Sequence, residues 1–163
     1  MTEASKARPA NARGAARLAA VQALYQMDVG GVSLDDVVGE FEEWRLGKEL
    51  DGVRYRDADA AFFRSLVTGV VGHQRELDPK IHLALAKGWP LGRLDVTLRA
   101  ILRTATWELT SHRDVPARVA ISEYVDIAKA FFDGEEARVV NGVLDTLGRQ
   151  LRPSEFDGQP ATT

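Results

Sequence analysis

Apolar residues recur three and four positions apart along almost the whole chain, and no stretch alternates apolar and polar residues long enough to make a half-buried strand. A chain patterned this way buries its apolar surface by packing helix on helix. The spacing predicts an all-α fold, a compact bundle of about seven helices with no sheet. The first helix covers about Asn11 to Asp28, with Leu18, Val21, Leu24 and Tyr25 on one face, and stops at Gly30-Gly31. Ser33 caps a second, whose stripe is Leu34, Val37, Phe41 and Trp44 and which ends near Gly47. Lys48 to Arg56 is a polar connection. A long third helix follows Asp57 and buries Phe63, Leu66, Val67, Val70 and Leu77. Asp78-Pro79 pairs a capping residue with the residue favoured at a first helical position, and so predicts a separate short fourth helix with Ile81, Ala84 and Leu85 before Gly88.

The fifth helix spans roughly Leu94 to Thr110, with Leu94, Leu98, Ile101, Leu102, Ala105 and Leu109 in its stripe. Pro116 opens the sixth, which turns Ala120, Tyr124, Ile127, Ala128 and Phe131 inward. The seventh runs from about Glu136 to Leu151 on Val140, Val143, Leu144 and Leu147, and Arg152-Pro153 ends it. Residues 1–11 and 153–163 have no such period and are expected to be flexible, the first as a basic arm and the second as a tail. The folded domain is then 12–152, built of two packed subdomains, about 12–77 and 78–152.

Catalysis finds little support. Cysteine is absent, which removes disulfides, thiolate metal sites and thiol nucleophiles, and makes the cytoplasm the default compartment. The N-terminal MTEASKARPANARG has no apolar core of a signal peptide, and no apolar run approaches the ~20 residues of a membrane span. His73, His82 and His112 fall on three segments with no metal-ligand spacing, and no phosphate-binding glycine loop or nucleophile motif occurs. Glu40, Glu42 and Glu43 are expected on a solvated helix face. The chain is read as a binding protein without catalytic residues, metal or cofactor.

Charge points to where it binds. The net charge is −3, yet residues 1–20 hold Lys6, Arg8, Arg13 and Arg17 against Glu3 alone. Arg13 and Arg17 are one helical turn apart and share a face, an arrangement suited to gripping phosphates, with Lys6 and Arg8 adding charge from the arm. A second candidate is Arg138 in the first turn of the last helix, where the positive helix end also attracts anions; an ordinary exposed arginine, or one paired with Glu135, is the alternative.

Five runs go beyond periodicity: AARLAAVQALYQ (15–26), FFRSLVTGV (62–70), RLDVTLRAILRTATWEL (93–109), VPARVAISEYVDIAKAFF (115–132) and VVNGVLDTL (139–147). In these runs and their order the chain resembles the NusB family of bacterial transcription antitermination factors. The resemblance implies an all-helical protein that pairs with the ribosomal protein NusE and binds the boxA element of nascent RNA. It also implies indirect attachment to the RNA polymerase elongation complex and no association with membranes. RNA contacts in the family come from the start of the first helix and of the last, which implies Arg8, Arg13, Arg17, Gln22, Arg138 and Val139 here. Leu98, Arg99 and Arg103 are weaker candidates for contact with a protein partner, an intramolecular ion pair being the alternative for at least one arginine. Gly14 and Ala15 stand where the family is often basic, Val139 where it has an aromatic, Glu136 where it has a small polar residue, and Phe132 where it has glycine. A helical protein-interaction module with weakened RNA binding is therefore the competing reading. The accessory domain of ribosomal RNA methyltransferases, with the same fold, would need a further catalytic domain. Oligomeric state stays open, a homodimer included.

Overall fold

A computed structural model describes the backbone of residues 2–42, 49–50, 53–54, 59–85 and 89–157, and the side chains of 12–42, 59–85 and 89–157. Six α-helices occur among the described residues: α1 (Thr2–Gly30), α2 (Leu34–Glu40), α3 (Ala60–Ala84), α4 (Val96–Ser111), α5 (Ala117–Phe131) and α6 (Glu136–Leu151). Two 3-10 turns, Leu91–Arg93 and Pro153–Phe156, also occur among the described residues. The expected absence of strands gives way at one point. Glu49–Leu50 (β1) and Val53–Arg54 (β2) pair antiparallel inside the predicted polar connection. This two-residue ribbon leaves the fold all-α.

The predicted third and fourth helices are one. Asp78 does not cap a new helix, because both its carboxylate oxygens accept from Arg103 of α4, from Nε and Nη2 at 2.9 Å each. The backbone continues through Pro79. At its N-terminus the same helix is capped by Asp59, whose Oδ1 accepts from the Phe62 N–H at 2.8 Å. α1 starts at Thr2, earlier than the period suggested, and runs through Pro9. Trp44 and Gly47, placed on and after the second helix, lie outside the described residues, as does Gly88.

The chain divides into two units, residues 1–71 and 72–163, with the division inside α3 and not at Asp78. In the first unit α1 buries a small-residue face, Ala16, Ala19, Ala20, Ala23, Val21 and Leu24, and Phe41 stacks on Phe63 with ring centroids 5.6 Å apart. Tyr25, expected on the buried stripe, is 42% exposed. In the second unit α4, α5 and α6 pack against one another. Leu98, Ile101, Leu102, Ala105, Leu109, Tyr124, Ala128, Val140, Leu144 and Leu147 are all buried there, whereas Phe131 is not. Polar groups in this core are satisfied locally. Thr104 and Thr106 donate to the carbonyls of Ala100 and Leu102, and the Tyr124 hydroxyl donates to Glu108 at 2.8 Å.

The end of α6 holds this unit together in a way the expected flexible tail does not anticipate. Arg152 is buried, donating from Nε to the Leu109 carbonyl at 2.9 Å, from Nη2 to those of Glu108 and His112, and from Nη1 to that of Val115. These carbonyls lie at the C-terminus of α4 and just beyond it, where the helix leaves acceptors unpaired and its dipole is negative. Glu155 accepts from Arg152 through Oε2 and from the Ala117 N–H, at the start of α5, through Oε1 at 2.7 Å. Phe156 then buries its ring against Gly148.

Candidate nucleic-acid interface

The basic start of α1 is shaped by Phe62 of α3 and by Asp59, its cap. Asp59 donates its backbone N–H to the Ala12 carbonyl at 3.1 Å, which ties the cap of α3 to α1. Its Oδ2 lies 3.7 Å from Arg13 Nε. Phe62, one turn on, offers its ring to both arginines: the Arg13 guanidinium carbon sits 4.5 Å from the ring centre and that of Arg17 5.3 Å. Both contacts are cation–π in type, and they hold the two planar groups over one apolar surface.

The two arginines are therefore not equivalent, although their sequence spacing made them so. Arg17 is 3% exposed, so its guanidinium is part of the packing between α1 and α3. The Arg13 side chain is 35% exposed, and it is the one of the pair with N–H groups at the surface for a phosphate. Gln22 is half-buried two turns along α1 from Ala15. Arg8 lies in the α1 backbone, and its side chain is outside the described residues.

At the start of α6, Arg138 is exposed and Val139 half-buried, and the residue before the helix, Glu135, makes no side-chain cap. The positive end of α6 therefore has no cap from Glu135, and Arg138 stands in its first turn. Glu136 occupies the same first turn and counters it with a carboxylate.

The residues named for protein contact are mostly used inside the fold. Leu98 is 1% exposed and belongs to the core, as its place in the α4 stripe requires. Arg103 makes the two-pronged pair with Asp78, and Arg99 donates from Nη1 to the Gly92 carbonyl at 3.3 Å. Sequence reasoning missed Asp59 and Phe62, although an aspartate just before the AAFF start of a helix signals a cap. It also missed a groove of about 220 Å³ between α5 and α6, lined by Arg118, Ser122, Asp126, Lys129, Asn141 and Asp145 among others. Ser122, Asp126 and Lys129 share one helical face at i, i+4 and i+7 spacing, which was the available signal.

Residues 14–149 match the model of the NusB family. The chain belongs to the NusB family. The transcription antitermination protein NusB of Rhodopseudomonas palustris is 59% identical over 147 residues, covering 90% of this chain and 87% of that protein. Among solved structures, T. maritima NusB aligns with a TM-score of 0.71 at 30% identity, over 89% of this chain and 96% of that one. NusB from a crystal structure of the antitermination factors NusB and NusE in complex with dsRNA aligns with a TM-score of 0.70 at 26% identity, over 85% and 96%. The NusB relatives share this chain's helical architecture, and among the described residues no helix is long and apolar enough to cross a membrane.

Proposed function

We propose that this chain is a transcription antitermination factor that binds boxA-type nascent RNA together with NusE and promotes read-through, with ribosomal RNA transcription as its main setting. It works as an adaptor in the cytoplasm, attached to the polymerase elongation complex through its partners, and carries out no catalytic step. The observation that carries this reading is the Arg13 guanidinium, presented at the surface by Phe62 and Asp59 in a chain so similar to NusB proteins over most of its length. The exposed Arg138 in the first turn of α6 supplies a second cationic point.

A second reading, a helical interaction module with little RNA affinity, is favoured by the burial of Arg17 and by Glu136 in the first turn of α6. Titration of a boxA RNA oligonucleotide with the chain alone, and with the chain plus NusE, separates the two. RNA binding that strengthens when NusE is added supports the antitermination role. Stable pairing with NusE without any RNA binding supports the module.

A further inference from the structure

We infer that Asp59 is a built-in competitor for RNA phosphate at Arg13, so that RNA binds this arginine against the charge of an internal carboxylate. The inference rests on the RNA-binding reading above and concerns how that same site is tuned. Asp59 is anchored at two points and has one oxygen to spare. Its N–H is bonded to Ala12 and its Oδ1 to the Phe62 N–H, while Oδ2 faces Arg13. At 3.7 Å the contact with Arg13 Nε is longer than the ~2.7–2.9 Å of a charge-assisted hydrogen bond, so the pair is attractive but loose. The two side chains are 35% and 34% exposed, which leaves the guanidinium within reach of a second anion.

A phosphate arriving at Arg13 meets a planar cation already laid against Phe62 at 4.5 Å, so the group needs little ordering to bind it. The phosphate also meets the negative charge of Asp59, which the cap and the Ala12 bond keep from swinging away. Asp59 therefore does two opposed things. It positions Arg13 at the α1–α3 junction, and it lowers the affinity of that arginine for any RNA. No such device is visible from charge spacing along α1, because the competing carboxylate comes from a residue far along the chain.

The experiment uses Asp59→Asn and Asp59→Ser in the full chain, with NusE and a boxA RNA oligonucleotide. Asparagine and serine both cap helices well, so the Phe62 N–H keeps an acceptor and only the charge is lost. Circular dichroism and thermal melts establish that each variant folds. Both should bind RNA roughly two- to fivefold tighter, the range of an exposed ion pair. The decisive arm repeats the comparison in an Arg13→Ala background, where the gain should vanish because there is no guanidinium left to release. Equal tightening with and without Arg13 would show a general field effect and overturn the inference, as would folded variants with unchanged or weaker binding. If the unsubstituted chain with NusE binds no RNA, the RNA-binding reading itself fails, and this inference with it.

Discussion

The Nε of Arg152 donates to the carbonyl of Leu109 at 2.9 Å, linking the residue after α6 to the last turns of α4. The other guanidinium nitrogens donate to neighbouring carbonyls and to the Glu155 carboxylate, so a buried cation adds donors at the C-terminus of α4. Removing it takes the guanidinium donor from the Leu109 and Val115 carbonyls, while those of Glu108 and His112 keep the backbone N–H groups of His112 and Val115. Arg152→Ala should cost about 3–5 kcal/mol, the scale for breaking a buried charge network on one side. Urea unfolding measures it, and a loss below about 1 kcal/mol would show that water replaces the guanidinium freely.

Glu155 makes the same junction sensitive to acid. The Ala117 N–H and then the charge of Arg152 hold its carboxyl below the ordinary value of 4.5, against the opposing effect of burial. A folded-state pKa below the unfolded one means the group contributes stability above the unfolded pKa and loses that contribution as pH falls through the folded one. The wild-type chain should therefore be more stable than Glu155→Gln at neutral pH, and the difference should shrink as pH drops below 4.5. Melting temperatures of the two proteins across that range test it. A constant difference down to the lowest pH would refute the linkage.

Two glycines of α6 should respond to alanine in opposite directions. Nothing lies within 4 Å of a Cβ added at Gly142, so Gly142→Ala should stabilise by about 1 kcal/mol through helix propensity alone. At Gly148 the added carbon would meet the Phe156 ring at 2.9 Å and 3.1 Å and Ile121 at 3.4 Å. Gly148→Ala should lose about 1–3 kcal/mol by overpacking, more than the propensity gain returns. Denaturation midpoints that rise for both would mean that Phe156 is not seated against α6.

These side chains also mark what the sequence could and could not convey. The stripes of α4 and α6, their ends and the family resemblance were legible, because helical period and motif are local properties of the chain. The positions that went astray depend on distant partners. Asp78-Pro79 carried a sound local signal for a helix start, and Arg103, 25 residues away, took the carboxylate that would have made the cap. Arg152 looked like a terminator, and its role appears only when the carbonyls of α4 lie beside it. Phe156 sat in a stretch with no period, and what it packs into is the absence of a side chain at Gly148. At the candidate interface, periodicity placed Arg13 and Arg17 on one face but did not reveal that Arg17 is buried while Arg13 stays partly exposed.

That inequality yields the last prediction. Arg17, 3% exposed, packs against Phe62, so Arg17→Ala should act first on stability, at about 1–3 kcal/mol for a buried side chain lost with its ring contact. The Arg13–Asp59 ion pair is loose and partly exposed, and Arg13→Ala should cost less than about 1 kcal/mol of stability. Its effect should appear in RNA binding. Each phosphate contact to single-stranded RNA contributes roughly 0.7 to the slope of log affinity against log salt, so Arg13→Ala should flatten that slope by about one contact. Arg17→Ala, measured well below its melting temperature, should flatten it by less. Urea unfolding and boxA binding with NusE across a salt series give both readings for each variant. If Arg17→Ala kept full stability and reduced the slope as much as Arg13→Ala, both guanidiniums would be contacting phosphate, and the division of labour between them would be wrong.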